Sequence, residues 1–389
     1  MTNHLSASSI QAFEKCPTAF RLGYVELLRP AEDADVLRVG TNWHQLFEVH
    51  ANTDGTPEAK MQAVVDHLDA KYADVPSFKN AEEWALERQV LLTSFIGYQW
   101  YFQNDPYQVI ASEVPFDLPV HEPKTGMPCS LQSVIRKGKI DHLAAWRGAV
   151  CVWERKSTSK SLDPDSDYWT QWNKNVQASM YSLALKDMES AGLLSGYHIA
   201  DKVRFGNTVV DAWRKPTIKP AMLTQAETKA LYDTRMYAGQ GFCPEYYNWD
   251  QVAGGAGGDV VSISGYDAEV KRGAKGFAIR ETVPMFGARL LADIYENPTR
   301  YYARREIVRT DAEVREFRNE LFNIYRAMEL YKERGIWWHN RAACDTPYRC
   351  QFRSICNGVG SHSVCDGATV PNGFKRIHSL PVVEAAPEE

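Results

Sequence analysis

Gly138-Lys139-Ile140-Asp141-His142-Leu143-Ala144-Ala145-Trp146-Arg147-Gly148-Ala149-Val150-Cys151-Val152-Trp153-Glu154-Arg155-Lys156 is the stretch from which the fold is read. Two β-rich runs flank Arg147-Gly148, and if that pair is a hairpin turn, opposed residues have numbers adding to 295. Asp141 and Glu154 then face one another, with Cβ atoms roughly 4.5–5.5 Å apart. Lys156, two residues past Glu154, shares its face. Carboxylates set together on an otherwise apolar face (Leu143, Ala145, Val150, Val152) repel each other unless a cation lies between them. Oxygen donors of this kind suit a hard divalent ion, Mg²⁺ or Mn²⁺. The plainer alternative is an exposed sheet face on which Lys156 neutralises Glu154.

Working outward, Val109 to Val120, Val134 to Trp146 and Val150 to Lys156 read as strands. A helix from about Tyr168 to Met188 and a strand pair, Tyr197 to Phe205 and Thr208 to Arg214, make the sheet a mixed α/β one. Upstream, Ser6 to Val25 is a short helix with a Ser8/Gln11 capping box, interrupted at Cys16-Pro17. Gly40 to about His50, Pro57 to Tyr72 and Asn80 to Phe102 are helical. Downstream lie a last strand, Tyr301 to Val308, and an amphipathic helix, Asp311 to Arg334. The expected organisation is a helical region over 1–105, a core over 106–240, a Gly-rich loop or insertion over 241–280, a helical and cysteine-bearing region over 281–360, and a disordered tail over 361–389. There is no internal repeat.

The chain has 389 residues, 44 Lys+Arg against 49 Asp+Glu, and 44% hydrophobic residues. A net charge of −5 excludes a uniformly basic nucleic-acid coat, so any polyanion must meet a local basic surface. With neither a bilayer-spanning apolar run nor a signal-peptide core, a cytoplasmic protein without a membrane partner is expected. Eight cysteines in so long a chain point to metal or redox chemistry where they cluster.

Gln177 and Tyr181 lie four apart on the helix after the hairpin, and His44 lies early in a helix within Val39-Gly40-Thr41-Asn42-Trp43-His44. Together with Gly138-x-Ile140-Asp141 and Glu154-x-Lys156, in that order, the set resembles the RecB-type branch of the PD-(D/E)XK nucleases. That branch includes nuclease domains of bacterial helicase–nucleases of the AddB type, CRISPR-associated nucleases and phage exonucleases. The resemblance runs from about Leu5 to Cys356. It implies a restriction-endonuclease-like mixed β-sheet core flanked by helices. It also implies that His44, Asp141, Glu154 and the main-chain carbonyl of Arg155 hold the metal. Lys156 would orient the attacking water, and Gln177 and Tyr181 the scissile strand. Glu113, on a neighbouring strand, is a further candidate for the same site and reads more readily as structural.

Cys344, Cys350 and Cys356 are each separated by five residues, and three thiolates need a fourth. By the resemblance the fourth is Cys16, giving a [4Fe–4S] cluster that joins the N- and C-terminal segments. Cys365 permits a local structural Zn²⁺ site instead, and the thiols could also stand unliganded.

From Tyr301 to Cys356 there are eleven Arg/Lys against eight acids, interleaved with Tyr301, Tyr302, Trp337 and Trp338. Such a segment suits a groove for phosphates and bases, and equally an ordinary solvated helix with aromatics in the core. Arg136, Lys137, Lys139, Arg214 and Lys215 are further basic candidates. The resulting expectation is a metal-dependent DNA exonuclease acting on single strands or duplex ends, in a bacterial or phage-infected cytosol. Lacking an ATPase signature, it would leave unwinding to a separate helicase or recombination protein. A structure-specific endonuclease and a non-catalytic iron–sulfur DNA-binding protein are the alternatives.

Overall fold

The computed structural model describes residues 4–31, 35–105, 107–129, 135–197, 199, 204–274, 276–346, 349–358 and 370–377. The chain opens with β1 (His4–Leu5), α1 (Ala7–Lys15), α2 (Pro17–Phe20) and a π-helical turn, Arg21–Val25, before β2 (Leu28–Pro30). The cap of α1 is Ser6, boxed with Ser9, rather than the expected Ser8 with Gln11. α3 (Asp35–Asn52), α4 (Pro57–Lys71) and α5 (Ala81–Tyr101) follow, the last started by Asn80 in a capping box with Glu83.

β3 (Gln108–Pro119), β4 (Ile135–Trp146) and β5 (Ala149–Thr158) lie close to the expected strands. The single helix expected over Tyr168–Met188 is instead α6 (Asp167–Thr170), a 3₁₀ turn (Gln171–Lys174) and α7 (Val176–Ser190). Asn175 breaks it by taking extended backbone and accepting from the Ala178 N–H, which starts α7 afresh. β6 (Arg204–Arg214) replaces the expected strand pair: Phe205 and Thr208 belong to one strand, and 198 and 200–203 lie outside the described residues.

The 241–280 stretch is folded rather than a structureless loop. After α8 (Gln225–Thr234), β7 (Met236–Tyr237) and β8 (Gln240–Gly241) come α9 (Trp249–Ala253), β9 (Val260–Ile263), β10 (Tyr266–Gly273) and β11 (Gly276–Ile279). The last three form an antiparallel sheet in the order β11–β10–β9. Leu231, Val261, Ile263, Phe277 and Ile279 are buried there with Met285 and Ala288. In its turns Gly257, Gly258 and Gly265 adopt positive φ, while alternate strand residues supply the apolar face. α10 (Val283–Glu296), α11 (Pro298–Tyr301), β12 (Tyr302–Ile307), α12 (Asp311–Arg334), α13 (Arg353–Asn357) and β13 (Phe374–Arg376) complete the chain.

The main sheet runs β1–β4–β5–β6–β12, with β3 on β4. β5 pairs antiparallel with β4 and parallel with β6. α1, α7 and α12 cover one face through Ile10, Phe13, Met180, Leu183, Phe317 and Leu321. α3, α5 and α10 bring Trp43, Phe47, Phe95 and Phe286 together with Trp213 and Tyr302 of the sheet. The mixed α/β layering is therefore as read from the sequence. No helix of the described residues is long and apolar enough to cross a membrane.

The iron–sulfur cluster expected to join the two ends is not supported. Among the described residues, no group of three or more His, Cys, Asp or Glu side chains could hold a metal ion. Cys16, Cys344, Cys350 and Cys356 are all free thiols. Burial first, then the neighbouring Cys350, Cys16 and Cys344, pushes the Cys356 thiol up to about 11. The same finding removes the zinc alternative among the described cysteines, and Cys365 lies outside the described residues, as does most of the expected tail. The ends are joined by other means. The Thr18 N–H and hydroxyl donate to the Trp338 carbonyl at 3.3 and 2.9 Å, and Asn340 Nδ2 donates to the Lys15 carbonyl at 2.9 Å. β13 pairs with β2, and Phe374 stacks on Phe352.

One polar cluster fixes α3 against α4 and α5. Glu87 accepts from Arg38, from Lys79 at 2.8 Å and from the Tyr72 hydroxyl at 2.6 Å; Tyr72 in turn accepts from Asn42. Burial alone would raise the Glu87 carboxyl, but these donors hold it below its ordinary value. A folded value below the unfolded one gives stability at neutral pH that is lost as pH falls through the folded value. Glu87→Gln is therefore expected to cost about 2 kcal/mol at pH 7. In urea melts the gap from wild type should shrink as pH falls from about 6 to about 3. A gap constant with pH would show that the Glu87 charge carries none of it.

Candidate active site

Arg147 and Gly148 have φ of +47° and +77°, a two-residue turn that matches the twist of the strands it joins. From it the ladder runs Trp146↔Ala149, Ala145↔Val150, Ala144↔Cys151, Leu143↔Val152 and His142↔Trp153, every pair adding to 295. Asp141 and Glu154 are the next residues in that register, where the recorded pairing has ended. β3 occupies one edge of β4 from Ile135 to Ala145, so β1, at Ile135 and Arg136, must share the other edge with β5. Between those two contacts the edge opens, and Asp141 and Glu154 stand on the two arms of the fork.

β5 is buried along its whole length. Glu154 and Lys156, almost inaccessible, form an ion pair at 2.8 Å. Gln177 Nε2 donates to Glu154 Oε1 at 3.1 Å and also lies 3.1 Å from the Tyr181 hydroxyl, which donates to the Lys139 carbonyl at 3.0 Å. The i, i+4 pair on α7 thus reaches both arms. Burial, then the charges of Glu154 and Asp141, raises the Tyr181 phenol, so it stays a neutral donor. Tyr181 is propped edge-on by Phe116, ring centroids 6.1 Å apart. Phe116 reaches it by lying across its cross-strand partner Gly138, where a Cβ would fall 2.2 Å from the ring. The glycine of the Gly-x-Ile-Asp segment is accounted for by that close approach.

His44 projects from α3 with Nδ1 3.9 Å from Asp141 Oδ2, and its imidazole bonds to the main chain of Arg155. Burial, then Lys156 and Arg155, lowers His44 to about 3, so the ring is neutral and able to act as a donor ligand. Burial raises the Asp141 carboxyl against the pull of Lys156, Arg155 and Lys139. Asp141, Glu154, Lys156, Gln177, Tyr181, His44 and the Arg155 carbonyl therefore meet at one place. The three acid and imidazole side chains do not close into a metal-holding group among the described residues. In place of the metal expected for Asp141 and Glu154, Lys156 is the cation seated on Glu154.

Glu48, one helical turn after His44, also acts on Asp141 and was not singled out from the sequence; its i+4 spacing from His44 was the available signal. Glu113, at positive φ within β3, pairs with Lys139, outside the constellation. Most of the basic candidates are already engaged. Arg136 is buried against Asp187, Lys137 lies 3.9 Å from Asp117, Arg304 pairs with Asp211, Arg309 is buried, and Arg318, Lys332 and Arg353 pair with acids.

A family model described as the PD-(D/E)XK nuclease superfamily matches residues 4–357, and the chain belongs to that superfamily. No curated protein matches it.

Because Gly138 lets Phe116 support Tyr181, Gly138→Ala is expected to destabilise by about 1–3 kcal/mol through overpacking. The added methyl should also displace Tyr181 from the Lys139 carbonyl, which ultraviolet absorbance of the tyrosine would report. An alanine variant as stable as wild type would show that the Phe116 ring has room to give way.

Proposed function

We propose that this member of the superfamily is a RecB-type deoxyribonuclease that hydrolyses phosphodiester bonds in single-stranded DNA or at DNA ends, with the β4–β5 fork as its active site. The observation that carries the reading is the meeting of Asp141, Glu154 and Lys156 at an opened strand edge, with Gln177 and Tyr181 behind them. A structural ion pair alone would not require two acids from different strands, a neutral histidine and an amide–phenol pair to converge there.

Each residue has a task set by its chemistry. Lys156 places positive potential where charge accumulates on the phosphate oxygens as the P–O bond breaks. Glu154, oriented by Gln177, is the acceptor nearest Lys156 and can hold the attacking water through one of its oxygens. Asp141, across the fork, supplies the second carboxylate, and neutral His44 presents a ring nitrogen beside it. Tyr181, tied to the Lys139 carbonyl, holds α7 to β4 so that Gln177 stays aimed. With no established reader of base edges, recognition of backbone and ends fits best.

The test uses labelled single strands blocked at the 5′ or 3′ end, duplexes and circles, in buffer with magnesium or with a chelator. Wild type should shorten linear strands from an end and spare circles. Asp141→Ala, Glu154→Gln and Lys156→Ala should each lower turnover by on the order of 10²–10³. Cleavage unaffected by all three substitutions would remove the fork as the active site, and rapid cutting of circles would make the enzyme an endonuclease.

A further inference from the structure

On the side of the sheet turned away from α7, three neighbouring strands place charges in one row. Arg155 of β5 is registered with Asp211 of β6, and Asp211 with Arg304 of β12. Arg155 and Asp211 are buried, their ion pair 4.0 Å, and Arg304 Nε donates to Asp211 Oδ1 at 3.3 Å. Asp211 also accepts from the Tyr98 hydroxyl and from Trp153 Nε1 at 3.1 Å. Arg155 does more than pair with Asp211. It donates to His142 Nε2 and to the Tyr107 hydroxyl, and its guanidinium lies 4.0 Å from the centre of the Phe47 ring. His142, lowered to about 3 by burial and then by Arg155, is neutral; its Nδ1 lies 2.9 Å from the Ser112 hydroxyl.

Burying such a row is not an economical route to stability, since well-packed apolar side chains of similar volume commonly do as well or better. Its geometry suggests another role. Backbone pairing between β4 and β5 is recorded only as far as His142↔Trp153, so at Glu154–Lys156 the catalytic strand has parted from β4. The Arg155 side chain bridges the parted strands, from β5 to His142, the residue next to Asp141. Through Phe47 it also touches α3, one turn from His44, whose imidazole rests on the Arg155 carbonyl.

We propose that Arg155 is a positioning residue of the fork. Clamped between Asp211 and His142 and covered by Phe47, it sets the spacing between the Asp141 and Glu154 arms and the placement of His44. This rests on the reading of the fork as the nuclease site. A planar guanidinium suits the task because it can bond three elements at once, which an ammonium on a flexible stem does not do in fixed geometry.

The test is Arg155→Lys, with His142→Leu to remove the acceptor and His142→Gln to restore one. Activity is measured on an end-labelled single strand. Arg155→Lys and His142→Leu should lower kcat roughly 10- to 100-fold with KM within about twofold, and His142→Gln should recover most of the loss. A second readout is independent of cleavage. In protein labelled with ¹³C at histidine Cε1, the His44 signal, assigned with His44→Gln, should move in Arg155→Lys. Should Arg155→Lys fail to fold, the His142 pair carries both readouts. Unchanged kcat per folded molecule, with the His44 signal in place, overturns the proposal. Wild type that cleaves no DNA, in a protein whose His44 signal does move, overturns the nuclease reading and leaves the clamp standing.

Discussion

Everything at the candidate site follows from two antiparallel strands that cease to pair. A hairpin would ordinarily bond along its whole length, because unpaired backbone polar groups inside a protein are costly. Here β4 keeps β3 on one edge throughout, while its other edge passes from β5 to β1. Between those contacts lies an opening in an otherwise buried sheet, and the side chains at its mouth are charged. The opening explains how a carboxylate can be almost inaccessible and yet belong to a site. Glu154 is enclosed by its own strand, by Lys156 and by Gln177, but it stands beside the gap between the β5 and β1 contacts of β4.

The two faces of β5 divide the electrostatic work. On the α7 side an acid and a lysine neutralise each other within one strand. On the other side Arg155, Asp211 and Arg304 form a positive–negative–positive row across three strands, enclosed by Phe47, Tyr98, Phe102, Tyr107 and Trp153. The excess positive charge of that row sits directly behind Glu154 and acts on the fork: Arg155 opposes both the protonation of Asp141 and that of His44. A single residue between the acid and the lysine thus affects the site electrostatically through its side chain and sterically through its carbonyl.

How much of this could be read in advance depends on the range of the interactions. The Arg147-Gly148 turn and its 295 register are local, set by two residues able to take positive φ and by alternation on either side. The helix Asp311–Arg334 was equally plain from its stripe of Val314, Phe317, Leu321, Ile324, Tyr325 and Met328, and the structure adds Thr310 as its cap and Gly335 as its end. Asn175 looked like one polar residue within a helix because its capping role depends on backbone geometry. The row of Arg155, Asp211 and Arg304 was missed because its members lie 56 and 93 positions apart and meet only through strand register. A charged residue at the centre of an otherwise apolar strand, as in Val209-Val210-Asp211-Ala212-Trp213, was the available signal.

The cysteines show the opposite failure, a pattern legible in sequence whose physical purpose is served otherwise. Clipping distant ends together is valuable because closing a long loop is entropically costly, and a metal is one way to do it. In this chain the same closure is spread over the Thr18–Trp338 and Asn340–Lys15 hydrogen bonds, the β2–β13 ladder and a small apolar cluster of Leu22, Leu28, Phe352 and Ile355. Each contact is modest, but all share one closure: once the first forms, the others join ends already held near one another and gain most of their energy undiminished. The consequence reaches the fork, since α1 packs with α7 and α12 on one face of the sheet and β1 occupies the edge of β4 beyond the opening. Tying the ends therefore helps to set the far boundary of the gap on whose two arms Asp141 and Glu154 stand.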